Sequence, residues 1–276
     1  MRQRLLIGHL PCYLLFVLFT TATATADLLD SIRERQRLVV GVRTDFPPFA
    51  HRDSVGEIVG FEVDIARQLA ARLAVDLELQ PVASLNRPAL LTRGQADLVI
   101  ATLTDQPRYR QQALLVRPGY YASGTGALAW RSAHLQDWQD LQGQMVCGIQ
   151  GSPALRRVRE RFAVNTLALV HTPAALSALK RRLCTALIHD SSVLIGEWLR
   201  PEWQTDFFMP LPILDAEPWR LAVPAGETRW AAWLSATLVA WHREGHLLAL
   251  ASAWHLPPSA FLRNMHLSYA RTDPHP

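Results

Sequence analysis

Residues 38–42, Leu38-Val39-Val40-Gly41-Val42, decide the fold class of this chain of 276 residues. The run is continuously apolar and lies between Arg37 and Arg43, which is typical of a strand buried on both faces of a parallel sheet. After Pro47-Pro48, apolar residues recur at helical spacing over 61–73. Further strand-like runs follow at 77–79 and 97–101. Strands that alternate with helices predict a parallel α/β sheet.

A second α/β block follows the first. Residues 145–149 and 185–188 have the composition of strands, and Ser152-Pro153 predicts a helix with a serine N-cap and proline in its first turn. No flexible linker separates the two blocks, which favours two lobes joined by extended crossover strands. A further strand is expected at 221–223, with helices after it. The polar segment 259–276 is expected to be loosely ordered.

The composition excludes several classes of protein. Hydrophobic residues make up 49% of the chain and charged residues 19%, so global disorder is excluded. The formal charge of +4 comes from interspersed acids and bases, without the basic stripe of a nucleic-acid-binding protein. Three cysteines are too few for a disulfide scaffold, and no zinc-ligand spacing occurs. His242 and His246 lie four residues apart, but without a third ligand they predict no metal site.

Residues 1–26 predict a cleaved secretory signal peptide. Arg2 and Arg4 form a basic start, residues 5–19 are mostly apolar, and Ala24-Thr25-Ala26 resembles a cleavage site. The apolar run is short for a membrane span, although retention as an anchor is the alternative. Cleavage removes two arginines and no acid, which leaves 26 basic residues against 24 acidic ones and a charge of +2. We therefore expect an exported, soluble mature protein.

Short motifs occur in a particular order over residues 35–256, and each motif by itself is weakly specific. They are the segments 38–49, 60–66, 96–101 followed by Arg110, 119–124, 150–152, His189-Asp190, and 241–247 with Trp254. In this order they resemble the periplasmic amino-acid-binding proteins of ABC importers, the family 3 extracellular solute-binding proteins. The overall character of the sequence is most similar to cyanobacterial members.

The resemblance implies a two-lobed periplasmic-binding-protein fold of type II, each lobe a mostly parallel α/β sheet flanked by helices. Residues 27–120 with 217–276 would form lobe one and residues 124–213 lobe two, with hinge strands near 122–126 and 214–219. An amino acid or related small carboxylate would bind between the lobes and be delivered to an ABC transporter permease from the periplasm. The protein would be a monomer with no enzymatic activity, catalytic residue, cofactor or metal.

A free α-amino acid carries a carboxylate and an ammonium group. Its site needs a cation of fork geometry, backbone N–H donors and an opposing carboxylate. By the resemblance, Arg110 is the carboxylate clamp, because it lies ten residues before Tyr120. The segment before it carries one extra residue, so Arg108 is the alternative. Thr102 and Thr104 would supply a hydroxyl and backbone donors, or cap the following helix.

The opposing groups are expected in lobe two. Asp190 follows a buried strand, where ligands of parallel sheets bind, and is the candidate partner of the ammonium group. An N-cap role is its alternative. His189 would contact the ligand or be a partly buried structural histidine. Gln150 to Ser152 would present N–H donors at a helix N-terminus, or serve only as a cap.

The resemblance makes Phe46 the aromatic wall against the ligand side chain, with core packing as the alternative. Arg43 departs from the family, many members of which carry an acidic residue there. An arginine would disfavour basic ligands and favour acidic ones, or point to solvent. Cys147 and Cys184 match positions that form a disulfide in several of these proteins, and an oxidising compartment permits the bond.

Two other functions remain open at the level of sequence. A dehydratase-type enzyme on the same fold would need an acid or base in the cleft, for which Asp190, His189 and Glu62 are the candidates. A ligand sensor would instead report its occupancy to a membrane receptor.

Overall fold

The structure is a computed structural model that describes residues 27–82 and 87–271. The predicted signal peptide at 1–26 and Cys12 lie outside the described residues. The strands are β1 Arg37–Val42, β2 Asp45–Phe46, β3 Ala50–Arg52, β4 Ile58–Val59, β5 Asp76–Pro81, β6 Leu98–Leu103, β7 Ala113–Leu115, β8 Tyr121–Trp130, β9 Met145–Ile149, β10 Asn165–Leu169, β11 Ala186–Asp190, β12 Phe207–Phe208 and β13 Leu214–Pro224. The helices are α1 Leu28–Glu34, α2 Phe61–Leu73, α3 Ala89–Thr92, α4 Pro107–Arg110, α5 Pro153–Phe162, α6 Thr172–Lys180, α7 Ser191–Trp198, α8 Pro201–Gln204, α9 Thr228–Arg243, α10 His246–Ala253 and α11 Ala260–Ala270, with 3-10 turns at Arg131–Ala133 and Trp138–Leu141.

One large sheet runs through both lobes in the order β10-β9-β11-β8-β13-β6-β1-β5, and β2, β3 and β4 form a small separate sheet. In lobe one, β1 pairs in parallel with both β5 and β6. In lobe two, β9 pairs in parallel with both β10 and β11. The long strands β8 and β13 are antiparallel to each other and to their neighbours, so they carry the chain between the lobes. This architecture confirms the predicted two-lobed α/β fold.

The predicted helix over 61–73 begins and ends at those residues. Gly60 precedes it with a φ of 142°, and a Cβ there would lie 2.2 Å from the Phe49 carbonyl oxygen, so only glycine fits. The apolar stripe of the helix is buried against the lobe-one core, which includes Phe61, Leu69 and the strand residue Val40. The close packing fixes the end of β1 and the loop after it, where cleft residues lie.

Cys147 on β9 and Cys184, two residues before β11, form the predicted disulfide. Their Cα atoms are 5.6 Å apart, within the ordinary range for a disulfide. Because β9 and β11 are paired neighbours, the bond links adjacent parts of the lobe-two sheet.

The expectation of a loosely ordered segment after residue 259 is wrong for most of that segment. Residues Ala260–Ala270 form a helix, and the Ser259 hydroxyl accepts a hydrogen bond from the Leu262 N–H at 3.3 Å. Leu262 is buried, and His266 Nδ1 lies 2.9 Å from the His242 carbonyl oxygen on α9. An isolated helix of this length is marginal in water, so packing against α9 supplies the stabilisation that local sequence does not reveal.

Candidate functional site

A cleft of about 550 Å³ lies between the lobes, at the carboxyl ends of their parallel strands. Thr102 and Thr104 come from the end of β6, and His189 and Asp190 from the end of β11. Parallel strands leave their carboxyl ends open to ligands because the chain turns there into loops and helix N-termini. The cleft therefore combines polar groups from both lobes.

Arg43 and Phe46 line the lobe-one wall together. The Arg43 guanidinium carbon lies 4.0 Å from the centre of the Phe46 ring, and Arg43 Nε pairs with Asp45 Oδ1 at 3.0 Å. The Phe46 ring also stacks with that of Phe49, at 5.8 Å between centroids. Phe46 thus contacts both the core and the cleft, and its contact with the paired Arg43 makes this wall polar as well as aromatic.

Arg87 is the arginine that enters the lobe-one wall beside the threonines. Its Nη1 donates to the Thr102 hydroxyl at 2.7 Å and to the Thr102 carbonyl oxygen at 3.0 Å, and its Nη2 donates to the Tyr109 hydroxyl at 3.1 Å. Thr102 has a φ of 52°, in the left-handed region that a β-branched residue rarely adopts. Arg87 and Thr102 therefore form a bonded unit at the point where β6 ends.

The sequence-based expectation for the clamp is not met by the positions of Arg110 and Arg108. The side chain of Arg110 is 60% exposed, pairs with Asp105, and does not line the cleft. Arg108 packs on Tyr109 with its guanidinium carbon 4.7 Å from the ring centroid, and also lies outside the cleft lining. Tyr109 is the buried residue of the short helix α4. Successive side chains of a helix are rotated by about 100°, so Arg108 and Arg110 point to either side of the Tyr109 side chain.

The hydrogen bond from Arg110 and the charges of Arg110, Arg220 and Arg117 lower the pKa of Asp105, against the opposing effect of burial. Arg110 therefore belongs to an ion-pair cluster around Asp105 on the surface.

Asp190 lines the lobe-two wall and also caps helix α7, so the N-cap considered from the sequence is a residue that faces the cleft. Its Oδ1 accepts from the Ser192 N–H at 2.9 Å and from the hydroxyls of Ser123 and Ser192. Within the described part of the chain, all the hydrogen bonds of this carboxylate are made by Oδ1. The arrangement orients Asp190 and leaves Oδ2 for another donor.

His189 also lines the cleft. Its Nδ1 accepts the Asp190 N–H at 2.7 Å, and its Nε2 lies 3.2 Å from the Thr172 hydroxyl. Burial lowers the pKa of His189, although the Asp190 charge acts in the opposite direction. A neutral ring with hydrogen on Nε2 satisfies both contacts, so His189 supports the cleft wall without adding charge.

Ser152 lines the cleft at the N-terminus of α5, where its hydroxyl accepts from the Leu155 N–H at 3.2 Å. Gln150 does not line it, contrary to expectation. It lies with Ser152 in a smaller pocket of about 250 Å³ beside α5, and its N–H donates to the Leu169 carbonyl oxygen at 2.8 Å. Gln150 continues the β9–β10 ladder, and this pairing directs it away from the cleft.

Glu62 is fully buried in the first turn of α2, behind the cleft. Its Oε1 accepts from the Thr102 N–H at 2.8 Å and from the Tyr120 hydroxyl, whereas Oε2 is buried without a described hydrogen-bond partner. Burial raises the pKa of Glu62, while the hydrogen bonds from Tyr120 and Thr102 and the charges of Arg43 and Arg87 act to lower it. Glu62 therefore links the left-handed Thr102 to the core.

Several cleft residues were missed from the sequence, among them Arg87, Ser123, Thr125, Arg157, Asp215 and Glu217. Arg87 carried a usable signal, because it lies in the loop after a predicted strand, on the side where strand ends meet. No sequence signal placed Arg157 in the cleft, since four arginines in α5 suggest a solvated helix face. Ser123, Thr125, Asp215 and Glu217 belong to the crossover strands, whose side chains face the cleft only once the lobes are assembled.

Residues 27–82 and 87–271 contain neither a candidate metal site nor a helix able to span a membrane. No cluster of three or more histidine, cysteine or acidic side chains there could hold a metal ion. None of the helices in the same ranges combines the length and hydropathy of a membrane span.

The sequence matches the bacterial extracellular solute-binding proteins of family 3 over residues 38–257. The glutamine-binding protein of an ABC transporter from Bacillus subtilis is 27% identical over 234 residues, which are 83% of this chain and 84% of that protein.

Solved structures share the fold. The unliganded open L-cystine solute receptor of Neisseria gonorrhoeae aligns with a TM-score of 0.72 at 18% identity, over 82% of this chain and 95% of the receptor. An ancestral cyclohexadienyl dehydratase aligns with a TM-score of 0.66 at 19% identity, over 83% and 96% of the two chains. At these identities the likeness concerns the fold alone. The family match extends from the first strand of the large sheet to the end of α10, and the chain therefore belongs to the bacterial extracellular solute-binding proteins of family 3.

Proposed function

We propose that this protein captures an amino acid or a related small carboxylate in the cleft between its lobes and delivers it to the permease of an ABC transporter. The observation that carries the proposal is the meeting of Arg87 from lobe one and Asp190 from lobe two in one cleft of about 550 Å³. An α-amino acid presents one anionic and one cationic group, and these two side chains complement them.

In this proposal the ligand carboxylate binds Arg87 and Thr102, and the ammonium group binds Asp190. Arg87 donates hydrogen bonds to oxygens of Thr102 and Tyr109, which orient its guanidinium. Asp190 is oriented through Oδ1, so Oδ2 would accept from the ammonium group. Since the ligand would bridge the lobes, binding would favour their closure about β8 and β13.

The remaining parts of the proposal follow from the same function. The lobes would comprise 27–120 with 217–276, and 124–213. The protein would act in the periplasm after export, as a monomer, and would release its ligand unchanged. Family membership and the glutamine-binding relative, which is named as part of an ABC transporter, support transport over enzymatic turnover.

The test is a thermal-shift screen of the purified protein against amino acids, with calorimetry for those that stabilise it. A ligand at one hundred times its dissociation constant stabilises the folded state by about 2.7 kcal/mol. Recovery of chemically unchanged ligand from the complex, checked by NMR, would support binding without turnover. If no amino acid or small carboxylate shifts the unfolding temperature, the proposal fails.

The clamp is tested by a matched pair of variants, Arg87→Gln and Arg110→Gln. Removing a charge-assisted contact to a ligand carboxylate costs about 1.5–3 kcal/mol, so Arg87→Gln is expected to weaken binding roughly 10- to 100-fold. Arg110→Gln is expected to leave the affinity within about threefold, because Arg110 lies outside the cleft. The opposite ranking of the two variants would restore the sequence-based assignment.

A further inference from the structure

Arg157 reaches the cleft from α5 and is held by both crossover strands. Its Nη1 donates to the Thr125 hydroxyl on β8 at 2.7 Å, and its Nε pairs with Asp215 Oδ2 on β13 at 2.9 Å. These contacts involve Nη1 and Nε, and the side chain remains 35% exposed. A planar cation with further N–H groups is therefore fixed in position at the wall of the cleft.

Asp215 is shared between two arginines. Arg161 Nη1 lies 3.1 Å from each Asp215 oxygen, in addition to the pairing with Arg157. Two guanidinium groups and one carboxylate leave this cluster with a formal charge of +1. Glu160 lies next to Arg161 in α5, and Glu217, an exposed residue of β13, also lines the cleft.

We propose that Arg157 binds an anionic group on the side chain of the ligand, and that this group replaces Asp215 as its partner when the ligand binds. The inference rests on the proposed function, in which Arg87 binds the α-carboxylate of the ligand and Asp190 its ammonium group. Arg157 can then bind the side chain of the ligand. The ligand class is then an amino acid with a second, carboxylate-like group. When a ligand carboxylate replaces that of Asp215, the Arg157 guanidinium still has an anionic partner. A neutral or cationic ligand side chain would leave it without one.

The second arginine is what makes the exchange feasible. When Arg157 turns to the ligand, Asp215 keeps Arg161 and is not left as an unpaired carboxylate. Both Arg157 and Asp215 are partly exposed, and exposed ion pairs contribute little to stability, so the pairing competes only weakly with a ligand.

The experiment measures calorimetric affinities of wild type, Arg157→Gln and Asp215→Asn for L-glutamate and L-aspartate, and for their neutral counterparts L-glutamine and L-asparagine. Wild type is expected to prefer the acid in at least one pair by about tenfold or more. Arg157→Gln should abolish that preference by weakening binding of the acid about tenfold, with little change for the amide.

Asp215→Asn should act in the opposite direction and tighten binding of the acid, because it removes the competing carboxylate. Asn tolerates the left-handed φ of 47° at this position, so the backbone is preserved. Glu217→Gln is the matched control, since it removes a cleft carboxylate that Arg157 does not contact, and its effect should be smaller. Far-UV circular dichroism verifies that each variant is folded.

The failures of the two proposals are distinguishable. If wild type binds L-glutamine, L-asparagine or L-arginine more tightly than either acid, the inference about Arg157 is overturned and the proposed function stands. Unchanged acid binding in both Arg157→Gln and Asp215→Asn overturns it as well. If no amino acid or small carboxylate binds wild type, both proposals fail.

Discussion

Glu62 shows how one buried side chain supports the cleft without lining it. Its Oε1 accepts hydrogen bonds from the Thr102 N–H at the cleft wall and from the Tyr120 hydroxyl in the core. Thr102 in turn contacts Arg87, so the position of the proposed clamp depends on a carboxyl group behind it. We regard Glu62 as a positioning residue.

Replacing Glu62 separates its role as an acceptor from its charge. Glu62→Gln keeps a carbonyl oxygen for both donors, and burial already disfavours the charged form of the carboxyl. Glu62→Ala leaves the buried Tyr120 hydroxyl without its carboxyl acceptor, at about 1–3 kcal/mol, and leaves the Thr102 N–H only the Tyr120 oxygen, 3.1 Å away. We expect Glu62→Ala to be about 1–3 kcal/mol less stable than Glu62→Gln in urea unfolding. Equal stability of the two variants would contradict this role.

At the scale of elements, α11 is a helix that sequence periodicity did not reveal. Its packing against α9 depends on few residues, chiefly the buried Leu262, whereas Leu267 on the same helix is 51% exposed. The helix also contacts β8 and so lies beside the start of a crossover strand. Its order therefore depends on lobe one being folded.

Two leucines on α11 provide a matched test. Leu262→Ala should lower the free energy of unfolding by about 2–4 kcal/mol, because it creates a cavity in the core. Leu267→Ala should stay within about 0.5 kcal/mol of wild type, because alanine is a better helix former and little packing is lost. Chemical denaturation measures both values. Similar small effects would mean that α11 does not contribute to the lobe-one core.

At the scale of the whole molecule, partly or fully buried histidines in both lobes connect stability to pH. Burial lowers the pKa of His51, His189 and His242. A histidine with a lowered pKa in the folded state takes up its proton more readily when unfolded. The free energy of unfolding therefore falls as pH drops below about 6.5, towards the pKa of the folded state. Glu62, with a raised pKa, contributes the opposite sign, so differences between variants and wild type isolate each histidine.

His242 allows the sign to be tested. It is buried, and its Nε2 lies 2.7 Å from the Gly119 carbonyl oxygen. His242→Gln removes the titrating group while keeping an amide donor. We expect this variant to lose less stability than wild type between pH 7.5 and 5.5, by at most about 1.4 kcal/mol per pH unit. His255→Asn, at an exposed position, is the control and should follow wild type. Parallel curves for His242→Gln and wild type would contradict the expectation.

Much of the framework could be predicted from local pattern. The strand at 38–42 and the helix over 61–73 were recognisable because a buried strand needs a continuous apolar run and a surface helix needs one apolar face. Their alternation predicted the parallel α/β lobes. The order of motifs led to the family, and with it to the disulfide between Cys147 and Cys184.

The composition of the cleft was decided by tertiary structure. Arg87 and Arg110 carry the same guanidinium group, and only their places in the tertiary structure, with Tyr109 buried beside Arg110, determine which one faces the cleft. In the sequence, Arg157 does not differ from the other arginines of α5. In the structure, β8 and β13 place Thr125 and Asp215 in contact with it. Periodicity determines secondary structure because it is local, whereas a binding cleft depends on which strand ends and crossover strands meet in space.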